Sequence, residues 1–414
     1  MWFYLILTLA LGLKLFRLGE PKAYVFDEVY HGFTAQELVK GNVSTYDPWA
    51  KPPEGMAYEW THPPLGKILM SAAIKLTGDG FFGMRLSSAI FGTLVIALTF
   101  LIGIELLGST RAALISIFLL SIEGLAFVQS RVAMIDSHFL AFGLLGLLFY
   151  IKWRKDRERK LFLSLAALAL GLALATKWSA IYLFGLLGAD IVLLWFNAPR
   201  RPKVRTVLSW WLVLFGIPPI IYLISYSQFF SFGYNWAQFV ELQRQMWWYH
   251  TNLDKTHSYQ SVPWQWVLNL RPVWMYVNRP SESQTANIYN LGNPVIFYFG
   301  LYAIYRLAKD FRATWKWEYG FMLGAYFILW LPWVFSPRIM FLYHYLPAVP
   351  WLCLASGWVL EKWSLDAELS RRKKFRVTIG LAALWFAVFY PHLTALPVPV
   401  KFADSVYFFL SSWR

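Results

Sequence analysis

Long apolar runs separated by short polar segments make up most of this sequence. Many of the runs reach about 18 residues, which is enough for a helix to cross roughly 30 Å of hydrocarbon. The short alternating segments that are typical of a membrane β-barrel are not visible. The pattern therefore predicts an all-α polytopic membrane protein, in which each helix satisfies its own backbone hydrogen bonds.

The apolar runs and their flanks predict about eleven transmembrane helices within a single membrane domain, residues 1–414. The predicted spans lie near residues 1–18, 81–107, 111–129, 134–151, 161–178, 180–196, 207–227, 291–307, 318–335, 340–360 and 376–396. No basic region precedes the first run and its possible cleavage site is poor, so we expect it to be retained rather than removed as a signal peptide. Two long segments remain between spans, residues 19–80 and 225–290.

Composition agrees with a membrane protein. The chain is 58% hydrophobic and only 15% charged, whereas a soluble domain has roughly 25% charged residues. The net charge of +15 does not indicate nucleic acid, because the basic residues are confined to short clusters between apolar runs, where they can contact anionic lipid headgroups. The single cysteine, Cys353, excludes a disulfide framework.

The basic clusters predict the orientation. Short loops rich in lysine and arginine usually face the cytoplasm. The clusters are Lys152–Lys160, Ala198–Arg205, Tyr305–Lys316 and Ser370–Arg376. With these inside, the N-terminus is cytoplasmic and both long segments lie on the outer face, although Lys14 and Arg17 oppose this assignment. Loops longer than about 15 residues in a compact protein are usually functional.

Two adjacent carboxylates, Asp27 and Glu28, lie near the start of the first outer segment. Apolar positions from Val29 onward predict a short surface helix that ends at Gly41, with Asp27 as its N-cap and Glu28 favourable to the helix dipole. The alternative is that the pair carries catalysis. The local pattern allows both interpretations.

Several charged residues are predicted at the outer ends of spans, against the general bias. Arg85, Arg131, Lys177 and Arg338 are the cations, and His344 lies close to Arg338 in sequence. Two further residues, His62 and Lys67, flank a Pro-Pro pair before a helix predicted from Leu65 to about Leu76. Each cation alone could simply extend to lipid headgroups. Together they predict a pocket for a lipid-linked phosphate, since arginine and lysine bind phosphate oxygens.

The second outer segment is rich in aromatic residues, among them His257, Tyr259 and Trp264. Such residues form interfacial belts in many membrane proteins, but they also suit sugar or peptide substrates. Asp27, Glu28, His31 and His62 could hold a divalent cation, although their spacing matches no known ligand pattern. The sequence contains no Walker loop, dinucleotide fingerprint or nucleophile elbow.

Seven motifs taken in order resemble the protein O-mannosyltransferase family, membrane enzymes that use dolichyl- or polyprenyl-phosphate mannose. The motifs are FDEVYHG, HPPLGK, RLSSAIFG, SRVAMIDS, ATKWS, HSYQSVPWQW and FLYHYLPAVP, which run from residue 26 to residue 350. The second outer segment has no room for the sugar-recognition insertion of eukaryotic members. The resemblance is therefore to a prokaryotic member, an integral plasma-membrane protein.

The resemblance implies a C-type glycosyltransferase fold and transfer of mannose to Ser or Thr hydroxyls of exported proteins, with inversion, on the extracytoplasmic face. It makes Asp27 the candidate base and Glu28 its partner at the acceptor site, without deciding which carboxylate is nearer the hydroxyl. Arg85 matches the family's essential arginine, and His62 and Lys67 match the proline motif. The implied partners are polyprenyl-phosphate mannose as donor and exported proteins as acceptors, without nucleic acid.

The predicted roles extend to the remaining residues. Donor contacts are assigned to Arg85, Arg131, Lys177, Arg338, His62, Lys67 and His344. Acceptor contacts are assigned to Glu28, His257, Tyr259 and Trp264. Inverting transfer demands no metal, although the sequence leaves open whether a divalent cation binds. One alternative is a related transferase that acts on a lipid acceptor, of the aminoarabinose type. Another is a transporter, which the clustering of charges at one face disfavours.

Overall fold

The computed structural model describes residues 1–198 and 201–413 of the chain. Pro199 and Arg200, which belong to one of the four basic clusters, lie outside the described residues. The α-helices are α1 (Trp2–Leu15), α2 (His31–Val39), α3 (Leu65–Thr77), α4 (Phe81–Leu107), α5 (Thr110–Ser121), α6 (Gly124–Gln129), α7 (Asp136–Lys155), α8 (Lys160–Leu174), α9 (Ile181–Asn197), α10 (Val204–Ser225), α11 (Ser227–Ser231), α12 (Trp236–Asn252), α13 (Pro263–Val267), α14 (Pro294–Thr314), α15 (Trp317–Ile328), α16 (Val349–Leu365), α17 (Leu369–Thr394) and α18 (Val400–Phe402). The strands are β1 (Val273–Ser281), β2 (Gln284–Asn290) and β3 (Val398–Pro399).

Every predicted span coincides with at least one helix, which confirms a mainly helical membrane protein. Within the described residues, five helical segments are long and apolar enough to cross a bilayer by themselves: Phe81–Leu107, Trp178–Asn197, Val204–Ser231, Trp317–Phe335 and Leu369–Thr394. The predicted span 111–129 is two helices, α5 and α6, because the chain turns at Glu123. The number of transmembrane crossings therefore stays a prediction.

The first outer segment folds largely as its pattern predicts. Helix α3 begins at Leu65 and ends before Gly78, whose φ of +97° suits glycine. Helix α2 ends at Val39, two residues before Gly41 with its φ of +73°, and the amides of Gly41 and Asn42 donate to the carbonyls of Leu38 and Glu37 in a Schellman motif.

The prediction that Asp27 caps this helix is wrong. Helix α2 begins at His31, and its N-cap is Tyr30. Asp27 instead lies in a separate 3₁₀ turn, Phe26–Val29, which the backbone enters through Phe26 with φ +50°. The turn directs Asp27 and Glu28 by tertiary contacts rather than by helix capping.

A small antiparallel sheet, with two of its three strands in the second outer segment, corrects the all-α prediction. Strand β1 pairs with β2 from Val273↔Asn290 to Ser281↔Gln284, and β3 adds to β2 through Thr285↔Val398. The β-branched and aromatic run that begins β1 alternates between buried and less buried side chains, as a half-buried strand does. Length alone could not separate this short run from a helix.

The helices pack into one core whose two ends carry different charged residues. Helix α7 packs against α4 and α8, and α16 against α5 and α14. At one end, Lys152 and Lys155 of α7 form ion pairs with Glu105 of α4, with N–O distances of 2.8 and 3.0 Å. Arg85 and Asp136 lie near the opposite ends of these two helices. A 20-residue helix is about 30 Å long. The basic end of α7 and the predicted site at its other end are therefore separated by roughly the thickness of the hydrocarbon core of a bilayer.

The two outer segments pack against each other through an apolar cluster. Leu38 and Tyr46 of the first segment share a small apolar cluster with Phe229, Phe239 and Met246 of the second segment. The Tyr46 hydroxyl also donates to Gln228 at 3.2 Å. This contact joins the two segments around a shared cavity.

Candidate active site

The adjacent carboxylates Asp27 and Glu28 point into different environments. Glu28 is fully buried, and its carboxylate accepts from Arg85 Nε and Nη2 at 2.8 Å each. The backbone amides of Val25 and Ala133 donate to the same carboxylate, also at 2.8 Å. Four donors saturate Glu28, which anchors the turn to α4 and to the segment before α7.

Asp27 lies on the wall of a cavity of about 1170 Å³. The hydroxyl of Tyr343 donates to its Oδ2 at 3.2 Å. Burial raises the pKa of Asp27 to about 7, an effect that the Tyr343 hydrogen bond opposes and that nearby Glu59 and Asp136 reinforce. A pKa near the working pH is the property expected of a general base.

The cavity collects ionisable side chains from both outer segments and from several span ends. The acidic, basic and histidine residues on its wall are Asp27, His31, Glu59, His62, Asp136, Lys177, His250, His257, Arg338 and His344. Aromatic and aliphatic side chains complete the wall, among them Tyr182, Ile181 and Phe335. Such a mixture suits a ligand with an apolar part and an anionic part.

The four predicted outer cations have different surroundings. Arg85 is bound by Glu28 and by the carbonyls of Leu18, Pro21 and Ala23, so all its donors are used inside the protein. Arg131 donates to the carbonyls of Leu13, Lys14 and Phe16, which end helix α1. Neither side chain is part of the cavity wall.

Lys177 and Arg338 do line the cavity. Lys177 Nζ binds Asp136 Oδ1 at 2.8 Å. Arg338 lies over the Tyr249 ring and contacts His250 Nδ1, but forms no ion pair with a carboxylate anywhere in residues 1–198 and 201–413. Arg338 is therefore the cavity cation with uncompensated charge.

His62 and Lys67 of the proline motif have separate roles. The His62 ring lies on the cavity wall, with Nδ1 3.0 Å from Glu59 Oε1. Lys67 is buried outside the wall, where it donates to the carbonyls of Glu59 and His62 and so holds the turn before α3. Burial lowers the pKa of Lys67 to about 8, although Glu59 opposes this shift.

The second outer segment contributes less than predicted. His257 lines the cavity, where its ring packs at right angles to that of Phe26 at 5.8 Å. Tyr259 lies beside His257 but outside the wall, and Trp264 is exposed. His344, by contrast, is buried on the wall against the Trp333 ring.

Sequence reasoning missed several wall residues. Tyr343 is the direct partner of Asp27 but carries no ionisable signal near neutral pH, and His250 lies in an aromatic helix end that matches no motif. Asp136 and Glu59 belong to no predicted site set, and only contacts across the fold assign them to the wall. His31 and His62 group with Glu59, rather than with Asp27 and Glu28.

Comparison with solved structures identifies the fold. The S. cerevisiae protein O-mannosyltransferase Pmt1–Pmt2 complex bound to the sugar donor matches with a TM-score of 0.82 and 14% identity, over 100% of this chain and 92% of that one. ArnT from Cupriavidus metallidurans bound to undecaprenyl phosphate matches with a TM-score of 0.65 and 14% identity, over 95% and 76%. At this identity the likeness shows a shared fold, that of C-type membrane glycosyltransferases.

Sequence comparison identifies the family. The family described as dolichyl-phosphate-mannose-protein mannosyltransferase matches residues 4–232, and the C-terminal four-span region of protein O-mannosyltransferase matches residues 235–398. The polyprenol-phosphate-mannose–protein mannosyltransferase of Mycolicibacterium smegmatis is 26% identical over 99% of this chain and 92% of its own length. The chain belongs to the protein O-mannosyltransferase family, a family of membrane glycosyltransferases, which confirms the resemblance of its seven motifs.

Proposed function

We propose that this protein transfers mannose from polyprenyl-phosphate mannose to Ser or Thr hydroxyls of exported proteins, on the outer face of the plasma membrane. The observation that carries the proposal is the location of Asp27, in the first matched motif, on the wall of the large cavity. The names of the bacterial relatives support the donor and the protein acceptor.

Asp27 acts as the general base in this proposal. An acceptor hydroxyl has a pKa far above neutral and needs a proton acceptor as it attacks. Its oxygen forms a bond to the anomeric carbon of mannose, while the bond from that carbon to the phosphate oxygen breaks. The hydroxyl proton passes to the Asp27 carboxylate, and polyprenyl phosphate leaves on the opposite face of the sugar. The anomeric configuration inverts without a covalent intermediate.

Glu28 and Arg85 have a positioning role rather than direct substrate contact. Their mutual ion pair is buried, with both side chains at most 1% exposed. The pair and its backbone donors hold the turn that carries Asp27 against α4. In this role neither residue contacts substrate, in contrast to the predicted donor contact of Arg85 and acceptor contact of Glu28.

Arg338 is the proposed ligand of the donor phosphate, with Lys177 beside it. An uncompensated guanidinium on the cavity wall stabilises the charge that develops on the leaving phosphate. The prenyl chain leaves the cavity past Ile181 and Phe335, whose side chains are 61% and 87% exposed. Exposed apolar side chains at the edge of the cavity suit contact with a hydrocarbon chain.

The outer location follows from the charge distribution. The cavity lies at the end of α4 and α7 that is opposite to the ion pairs of Lys152 and Lys155 with Glu105. Since basic loops usually face the cytoplasm, the cavity is assigned to the extracytoplasmic face.

The test is an assay of purified protein with polyprenyl-phosphate mannose and a Thr-containing peptide, beside the same peptide with Ala in place of Thr. The proposal expects mannose on the Thr peptide alone, released by base treatment as an O-linked sugar. A parallel reaction offers lipid A as acceptor. Transfer to lipid A without transfer to the Thr peptide would favour the lipid-acceptor alternative and contradict the proposal.

A further inference from the structure

Three side chains form a separate cluster on the cavity wall: His31, Glu59 and His62. One ligand atom of each, a ring nitrogen or a carboxylate oxygen, lies within 4.8 Å of the other two. His31 comes from the first residue of α2, whereas Glu59 and His62 come from the turn before α3. The cluster therefore forms only when the two halves of the first outer segment fold together.

We propose that this cluster binds a divalent transition-metal ion of the zinc class. Two imidazoles and one carboxylate form a ligand set that zinc uses where a fourth position stays open. Ligand atoms around a tetrahedral zinc ion are about 3.4 Å apart, so a pair at the 4.8 Å limit needs to close by about 1.4 Å. The set lacks the several oxygen ligands that magnesium or calcium prefers.

The Nδ1 atom of His31 provides an independent reason. The side chain is 95% buried, since its exposed fraction is 5%. Nδ1 has no hydrogen-bond partner within the described part of the chain. A buried polar atom without a partner is unfavourable, and a metal ion bound through Nδ1, or a water bound to that ion, would satisfy it.

The surroundings hold the other two ligands in place. The Thr61 hydroxyl donates to Glu59 Oε1 at 2.6 Å. Lys67 Nζ donates to the His62 carbonyl at 2.8 Å and to the Glu59 carbonyl, which fixes the turn. Contacts of this kind orient metal ligands and contribute to metal affinity.

The nearby His250 is excluded from the ligand set. Its Nε2 is 2.8 Å from the carbonyl of Thr61, and its Nδ1 faces Arg338. Three protein ligands remain, and all three line the cavity. The open fourth position therefore faces the cavity, where a water or an anionic oxygen can occupy it.

This inference goes beyond the proposed transfer reaction and does not depend on it. The test uses full-length protein purified in detergent, stripped with chelator and titrated with Co²⁺ without donor or acceptor. We expect one equivalent to bind with the visible absorption of tetrahedral cobalt, and Zn²⁺ to abolish that absorption. No tetrahedral absorption in the wild-type protein would overturn the proposal.

Variants locate the ion. Glu59→Gln and His62→Gln should each weaken Co²⁺ binding at least tenfold, whereas His257→Gln, a histidine on the same wall outside the cluster, should bind as the wild type does. Wild-type affinity in Glu59→Gln would overturn the assignment. Thermal unfolding covers the case of a poorly folded variant, because Zn²⁺ should raise the midpoint of the wild type and of His257→Gln. A midpoint for these two proteins that Zn²⁺ leaves unchanged would also contradict the site.

Discussion

At the scale of single residues, Asp27 and Glu28 are adjacent in the chain but lie in different environments. Both carboxylates follow the same apolar segment and both belong to one motif. Glu28 is saturated by Arg85 and by the Ala133 amide, which lie 57 and 105 positions further along the chain. Such distant partners leave no local pattern, so only the folded chain separates a buried anchor from a residue on the cavity wall.

The pH dependence of transfer tests the environment of Asp27. A base must be ionised, and burial raises its pKa to about 7. We therefore expect kcat/KM to rise about tenfold per pH unit well below 7 and to level off above about 8. The profile is measured with chelator in excess at every pH, so that the protein stays free of metal across the range. A rate that is flat from pH 5 to 8 would contradict a raised pKa at the base.

The raised pKa of Asp27 also determines whether folding stability rises or falls with pH. The folded-state pKa of Asp27 exceeds the ordinary value of 3.8, so the folded protein binds more protons between about pH 4 and pH 7. Stability from this group is present at low pH and is lost as the pH rises through about 7. Asp27→Asn should therefore leave the unfolding midpoint at pH 8 equal to or above that of the wild type, by thermal unfolding in detergent.

Arg338 offers a second prediction at the residue scale. Arg338→Gln removes the uncompensated guanidinium from the cavity wall and should raise the KM for polyprenyl-phosphate mannose by about 10–100-fold, the effect of one or two charge-assisted hydrogen bonds. Lys373→Gln, in the exposed basic cluster that begins α17, is the matched control and should leave this KM unchanged. Equal KM values for wild type and Arg338→Gln would remove Arg338 from the donor site.

At the scale of elements, local signals explain which boundaries could be predicted. The predicted limits of α4, residues 81–107, are those observed, because glycines flank one continuous apolar run and Gly108 adopts φ +65°. The break between α5 and α6 was missed. Glu123 caps α6 through the amides of Leu125 and Ala126, and it also accepts from the distant Asn293 amide.

The buried ion pair that anchors the turn carrying Asp27 gives an element-scale prediction. Glu28→Gln leaves the Arg85 guanidinium buried with only neutral partners and should lower the free energy of unfolding by about 3–5 kcal/mol. Glu37→Gln breaks the Lys40–Glu37 pair, whose lysine is 57% exposed, and should cost at most about 1 kcal/mol. Chemical unfolding in detergent compares the two variants.

The double variant Glu28→Gln/Arg85→Met refines this prediction. Removing both charges should cost less than the sum of the two single changes, because no buried charge is left without a partner. Transfer activity should stay low in all three variants, since the turn loses its anchor. Wild-type activity in the double variant would contradict the positioning role.

At the scale of the whole molecule, hydropathy predicted a polytopic helical protein, and the ordered motifs predicted its family. The three-stranded sheet and the packing of the two outer segments were not predicted, because they depend on pairings such as Tyr46 with Gln228, which are 182 positions apart. The cavity likewise depends on the whole fold. Its wall combines residues from position 26 to position 344, and no single segment contains it.

The two-ended charge distribution predicts the orientation of the molecule. Lys255→Cys in the second outer segment should react with a membrane-impermeant maleimide in intact cells, whereas Lys373→Cys in a basic cluster should react only after permeabilisation. The native Cys353 is fully buried and provides an unreactive background. Labelling of Lys373→Cys in intact cells would reverse the assigned orientation.

The central claim is that the Asp27 carboxylate accepts the acceptor proton during mannosyl transfer. The most direct measurement is the single-turnover rate of mannose transfer from polyprenyl-phosphate mannose to a Thr peptide by purified wild type and Asp27→Asn, with donor binding measured in parallel. We predict a rate at least 10²-fold lower in the variant, with donor affinity and unfolding midpoint retained. A variant that binds donor normally and transfers mannose at the wild-type rate would contradict the account.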